Sequence, residues 1–414
     1  MIQNRRDVII LFTTRITRLF AYGFVSVILA LYLAGIGLDG KEIGLLFTLT
    51  LLGDAVVSLW ITTHADRMGR RQMLIFGALL MAMSGVVFAV TSSYTLLVIA
   101  ATVGVISPSG KEIGPFLSIE QAALSQLVKN ERRTHLFAWY NLAGSFAGAL
   151  GSLAGGLIGK GLQNIGFSEG ESYRSLIFGY SACGAILTIL FLRLSSAAEP
   201  SRGTLPPLFR LTLGLHRSKP VVLKLSMLFG MDAFAGGFII QSMIAYWFYL
   251  KFGVSVEVLG GIFFATNLVA GLSALVAARI AKRIGLVNTM VFTHIPSNVL
   301  LCLVPVMPSL SLAIIVLILR FTISQMDVPT RESYTMAVVS EDERSAASGV
   351  TTIARSVGAS VSPALTGVFM ASPTLLSLPF FLAGGLKIVY DLLVYGSFKR
   401  LKPPEETIGT EPNS

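Results

Sequence analysis

Long apolar runs, nearly free of charge, recur along the whole of this chain; "LLVIAATVGVI" and "FGALLMAMSGVVFAV" lie in two of them. Hydrocarbon offers no water to backbone amides and carbonyls, so a spanning segment must satisfy them as a helix or a closed barrel. Barrel strands alternate in polarity over about ten residues, and these runs do not alternate. A spanning helix needs about 20 apolar residues. Twelve segments fit: 8–34, 43–63, 73–92, 95–127, 135–159, 174–195, 221–250, 257–279, 286–306, 309–338, 346–370 and 374–398. Charged residues are 13% of the 414, against about 25% in soluble domains. The fold class expected is an all-α membrane protein.

The net charge of +10 usually suggests a nucleic-acid partner, but here the charge lies in short loops and reads as a topology signal. Arg5 and Arg6, then Arg67, Arg70 and Arg71, and Lys129, Arg132 and Arg133 mark the even side. Arg279, Lys282 and Arg283, then Lys399, Arg400 and Lys402, continue it. The odd loops carry Lys41, Lys160, Arg174 and Lys251. Basic loops stay inside, so both termini are expected to be cytoplasmic. The loop "SEDERS", 340–345, dissents with a net negative charge. No cleavable signal peptide is apparent: Arg15 and Arg18 break the first apolar stretch. Two cysteines, both in apolar runs, rule out a disulfide framework.

The chain repeats internally. At an offset of 211, Arg133 falls on Arg344, Ala143 on Ala354 and Gly156 on Gly367; at an offset of 216, Gly44 falls on Gly260 and Gly69 on Gly285. Two parallel six-span halves follow. The expected organisation is a first bundle over 1–195, a linker over 196–220, a second bundle over 221–400 and a tail over 401–414. The linker sequence "PPLFRLTLGLHR" suits a short amphipathic helix on the inner surface.

Twelve spans in two halves with a long central loop resembles the major facilitator superfamily. The loop between spans two and three makes the resemblance specific. It carries Asp66, Arg67, Gly69, Arg70, Arg71 and Leu74 in the family's spacing, with Thr62 in place of a leading glycine. The resemblance implies that Asp66 locks against the start of span eleven in one conformational state, where Arg344 and Arg355 are candidates. Asp66, Arg67, Gly69, Arg70, Arg71, Arg344 and Arg355 are thus the expected gate; a plain topology signal with a tight turn is the simpler alternative. In the second half Lys282 replaces the aspartate. In span five, "GSLAGG" is similar to a glycine motif of the superfamily's drug–proton antiporters, with Ser152 where a proline belongs and Pro363 at the corresponding place of span eleven. Gly144, Gly148, Gly151 and Gly155 equally suit close helix packing.

Ionisable groups inside a membrane are costly and mark function by default. Arg15, Arg18 and Tyr22 share one face of span one. Asp232, in span seven, corresponds to position 16 and is expected to pair with an arginine of span one or to bind the other end of a substrate. Asp54 sits near the middle of span two, as a proton carrier or a partner of Arg18. In span four, Pro108, Gly110, Gly114 and Pro115 interrupt the helix around Lys111 and Glu112, with Glu120 beyond; irregular backbone at this depth belongs where it is buried or lines a cavity. In span ten, Arg320, Asp327 and Arg331 share a stripe, Asp327 and Arg331 pairing along the helix and Arg320 wanting an anion. Lys387 and Asp391 in span twelve are spaced to pair with each other. Candidate substrate residues are therefore Arg18, Tyr22, Glu112, Asp232, Arg320 and Asp327; candidate proton carriers are Asp54, Glu112, Asp232 and Asp327.

No histidine–cysteine constellation for a metal and no phosphate-binding loop of the ATPase type is seen, so neither metal, cofactor nor enzyme activity is expected. The function expected is secondary active transport of a small solute by alternating access, proton-coupled and directed outward, by a monomer in a plasma or bacterial inner membrane. Two alternatives stand beside it: import of an organic anion or nutrient with protons, and a non-transporting receptor or lipid scramblase on the same fold.

Overall fold

A computed structural model describes residues 5–128, 130–199 and 215–399. Among them all regular structure is helical. Among the described residues, nine segments are long and apolar enough to cross a membrane. The other three expected spans are explained by their sequences. Spans four and ten are split into short helices, and span eleven, Arg344–Met370, is diluted by small polar residues ("SAASGVTTIARSVGASVSPALTG").

Four spans are broken, and they are the first, fourth, seventh and tenth. Span one is Arg5–Ser26 and Leu29–Gly35; span four is Tyr94–Val103 and Phe116–Leu127; span seven is Lys219–Gly237 and Gln241–Phe252; span ten is Leu310–Phe321 and Asp327–Ala337. Prolines mark the break in span four, and Pro329 stands in the first turn after the break in span ten; spans one and seven have none at theirs. At spans one, seven and ten, side-chain hydroxyls donate to carbonyls just before the break. The Ser26 hydroxyl donates to the Gly23 carbonyl (3.0 Å), Ser362 to the Phe234 carbonyl (2.6 Å) and Thr322 to the Leu319 carbonyl (2.6 Å).

These breaks account for the two repeat offsets. Tyr94 and Leu310 open the first pieces of spans four and ten, 216 apart; Phe116 and Asp327 open the second pieces, 211 apart. The five-residue difference therefore lies in 104–115, the segment that carries Lys111 and Glu112. The repeat is also visible at the short turns: Gly69 (φ 101°) and Gly285 (φ 88°) both sit in the left-handed region between two spans. Glycine alone reaches that conformation without a steric penalty.

The described residues fall into two compact units. The first is drawn from Met1–Leu208, Ile240–Asn267 and Thr366–Ala371, the second from Phe209–Ile239, Leu268–Leu365 and Ser372–Ser414. In the first unit, span five packs along span one through its glycines. A side chain at Gly151 or Gly155 would strike the Phe20 or Phe24 carbonyl, and one at Gly144 would meet the Arg15 guanidinium. Gly156 abuts Gly260 of span eight in the same way: a Cβ there would lie 2.9 Å from the Gly260 Cα. The proposed linker helix lies almost entirely in residues outside those described.

The acidic loop before span eleven has a structural reason. Glu343 accepts the Arg217 and Ser218 amides, each at 2.8 Å, and the His216 amide as well. It thereby satisfies orphan donors where the chain enters span seven. The Ser218 side chain, with the amides of His216, Ser218 and Arg217, holds the Glu343 carboxyl down to about 2. A depressed carboxylate stabilises the fold above its unfolded value, and the effect is lost as pH falls towards the folded one. Glu343→Gln should melt below the wild type by a constant margin from pH 5 to 8. That margin should shrink as pH falls from about 4.5, as differential scanning fluorimetry of purified protein would read.

Candidate functional site

Three consecutive residues of the span-four break are held by spans one and two. Arg15 Nη1 donates to Glu112 Oε2 at 2.8 Å, and Arg18 Nε to Glu112 Oε1 at 2.8 Å. The Tyr22 hydroxyl donates to the Ile113 carbonyl (3.4 Å). The Gly114 amide donates to Asp54 Oδ1 at 2.8 Å. Gly53 permits this approach, since a side chain there would strike the Thr102 carbonyl at the end of the preceding helix. The shared face of Arg15, Arg18 and Tyr22 is thus a cradle for irregular backbone, the setting such backbone requires at this depth.

Arg18 is fully buried and makes a second pair with Glu120, also fully buried, at 2.7 Å. Glu120 further accepts the hydroxyls of Thr14 (2.7 Å) and Tyr140. The two arginines and two glutamates of this cluster balance. Glu120, which the sequence places beyond Glu112, is as fully buried as Arg18.

In the second unit, Asp232 takes Lys387 Nζ at 2.5 Å and Arg331 Nη1 at 3.1 Å, and Arg331 Nη1 also donates to Asp327 at 3.1 Å. The expected Asp327–Arg331 pair is present. The expected Lys387–Asp391 pair is not: Asp391 instead engages His294 Nδ1 at 2.8 Å and the Asn298 amide at 3.2 Å. A spacing of four made the first partner of Lys387 look local, but its long stem reaches span seven. Asp232 likewise finds its cations in spans ten and twelve, and Arg18 its carboxylates in span four, so each is neutralised within its own unit. His294 and Asn298 escaped the sequence reading; the signal available was two polar residues one helical turn apart in an apolar run.

The two clusters are related by the repeat with the charges exchanged. Glu120 and Arg331 are 211 apart on spans four and ten, and each pairs with an opposite charge on span one or seven.

Arg320 and Arg355 of the second unit make no carboxylate hydrogen bond among the described residues. Arg320 is buried, its Nε lacks a partner, and its guanidinium lies over the Phe321 ring at 4.8 Å. Arg355 is half-buried in the wall of a cleft of about 700 Å³, whose charged lining also includes Arg331, Glu332 and Arg344.

Asp66, Arg70 and Arg71 find partners within the first unit. Asp66 accepts Arg70 Nε at 2.8 Å. Glu199, past the end of span six, accepts the Arg70 amide at 2.8 Å and the Arg71 amide at 3.1 Å. A carboxylate at a helix N-terminus is favoured by the unpaired amides and the dipole. Arg71 Nη2 donates to the Leu192 carbonyl at 2.5 Å. Glu199 was not singled out from the sequence, where it lies among alanines and a proline. Arg344 Nε donates to the Met336 carbonyl at 3.0 Å.

The Major Facilitator Superfamily profile matches residues 11–363, and a second, overlapping match covers 233–413. The chain belongs to this superfamily. It is 30% identical over 418 residues to the uncharacterized membrane protein YJR124C of Saccharomyces cerevisiae, covering 94% of this chain and 93% of that one. It is 23% identical over 219 residues to the quinolone resistance protein NorA of Staphylococcus aureus, and spans 52% of NorA's length. In structure it is similar to a bacterial homologue of the human lysosomal transporter Spinster, with a TM-score of 0.73, 17% identity and coverage of 95% and 96%. The chain is a multi-pass membrane protein with the superfamily's twelve-helix fold and is similar to secondary transporters.

Proposed function

We propose that this protein is a proton-coupled secondary transporter of a small solute, working by alternating access as a monomer, with Asp54 as the proton-carrying carboxylate. One observation carries the choice of residue. Of the four candidate carriers, Glu112, Asp232 and Asp327 each bind an arginine or lysine. Asp54 is hydrogen-bonded by neutral donors, the Gly114 amide at 2.8 Å and the Ser58 hydroxyl at 3.2 Å. A proton on Glu112, Asp232 or Asp327 would strip a buried cation of its counter-ion, whereas a proton on Asp54 strands none. Protonation withdraws an acceptor lone pair from the backbone of the break, so the charge on Asp54 is linked to the shape of span four.

The basic loops favour both termini in the cytoplasm of a cell with a plasma or bacterial inner membrane. Outward transport of a drug-like solute has one specific support, the partial likeness to NorA. The conformational lock assigned to Asp66 with Arg344 or Arg355 remains part of this proposal; Glu199 adds a carboxylate that holds the same turn to the end of span six.

Proteoliposomes carrying wild type or Asp54→Asn, offered a quinolone and glucose 6-phosphate with and without an imposed pH gradient, test the reading. Wild type should accumulate one of them against its gradient, and Asp54→Asn should equilibrate it but accumulate at least tenfold less. Gradient-driven accumulation by Asp54→Asn at the wild-type level would assign the proton elsewhere.

A further inference from the structure

We propose that the cleft lined by Arg331, Arg344 and Arg355 is an anion site, taking a soluble, hydroxyl-bearing organic phosphate or carboxylate. The proposal rests on the transporter reading above and names the solute class.

Charge balance in the second unit is the first argument. Counting only the buried and half-buried groups within the second unit's spans, Arg320, Arg331, Arg355 and Lys387 face Asp232, Asp327 and Asp391. Asp232 and Asp327 are committed to Arg331 and Lys387, and Asp391 to His294. The first unit's cluster, by contrast, closes two arginines on two glutamates. One cation is therefore in excess among the second unit's groups, and the one acid in the cleft lining, Glu332, is exposed. An incoming anion cancels that excess.

The second argument is where that excess is accessible. Arg320 is buried, but Arg355 is half-buried and lines the cleft of about 700 Å³. That volume lies within the range of small-molecule sites. Its charged lining is three arginines against the exposed Glu332, and Thr351 and Thr352 line it with further hydroxyls. A guanidinium offers planar paired donors that match phosphate and carboxylate, and the hydroxyls suit a polar body.

Geometry sets the order of contacts. Arg344 opens span eleven and is exposed, and Arg355 lies three turns further along the same helix, about 16 Å at 1.5 Å per residue. Arg344 at the mouth attracts the anion, and Arg355 within holds it.

Equilibrium binding to the purified full-length protein, without a pH gradient, separates this proposal from the coupling mechanism. The probes are glucose 6-phosphate, gluconate and glycerol 3-phosphate, each beside its uncharged counterpart, glucose or glycerol. At least one anion should bind at least tenfold more tightly than its counterpart and weaken tenfold or more in Arg355→Gln. Glu332→Gln, which removes the one acidic group of the lining, should tighten it severalfold. That gain is not expected of a merely structural role, and it keeps the test decisive if Arg355→Gln fails to fold. Binding of none of the three anions, equal binding of the uncharged counterparts, or no tightening in Glu332→Gln would overturn the proposal. A lipid headgroup phosphate shares this chemistry: one equivalent of phospholipid in purified wild type, lost from Arg355→Gln by mass spectrometry, would overturn the soluble-solute assignment.

Discussion

Arg18→Met should destabilise the protein by about 3–5 kcal/mol, the usual cost of removing one partner from a buried ion pair. The substitution keeps much of the side-chain length but strands Glu120, which is fully buried and otherwise held by hydroxyls. It also takes from Glu112 one of its two guanidinium partners and so loosens the break of span four. Arg18→Met combined with Glu120→Gln should recover most of the loss, because the glutamine oxygen accepts the Tyr140 hydroxyl, its amide donates to Thr14, whose hydroxyl can donate to the Leu11 carbonyl, and no charge remains unpaired. Thermal melting in detergent would measure both. If the double variant is no more stable than the single one, Arg18 acts through something other than Glu120.

Gly151→Val should be the most damaging glycine substitution tested. Its Cβ would fall on the Phe20 carbonyl, and backbone cannot swing away as a side chain does. Overpacking of this kind typically costs about 1–3 kcal/mol, occasionally more, and here spans one and five would be forced apart, displacing Arg15 and Arg18 from the break. Gly161→Val is the control, since nothing lies within 4 Å of its Cβ. We expect Gly151→Val to lose most folded yield by fluorescence-detected size-exclusion chromatography, and Gly161→Val to match wild type.

The spans were legible because helical periodicity in lipid is dictated by backbone chemistry, and the turn at 66–71 because its residue types are constrained by position. The breaks in spans one and seven were not, since no proline marks them, and at span ten Pro329 in the first turn after the break went unread. They depend on hydroxyls such as Ser362, which reaches a carbonyl from another span. Residue identity found the buried charges, yet spacing misassigned some of their partners. Lys387 and Asp391 are one turn apart but turn to Asp232 and His294. Helical spacing limits which residues of one span share a face, whereas the partner of a long side chain is fixed by tertiary packing. Glu199 and Glu343 were missed as backbone acceptors for the same reason, each meeting amides far away in sequence.

The central claim is that the charge on Asp54 is linked to the break of span four through the Gly114 amide. Hydrogen–deuterium exchange over residues 104–115 reads that link without knowledge of the solute. After correction for intrinsic rates, wild type should exchange this segment faster at pH 5.5 than at pH 8, because protonation weakens the acceptor, and Asp54→Asn should show no such difference. A segment whose protection is the same at both pH values in wild type, or whose pH dependence survives in Asp54→Asn, would contradict the account.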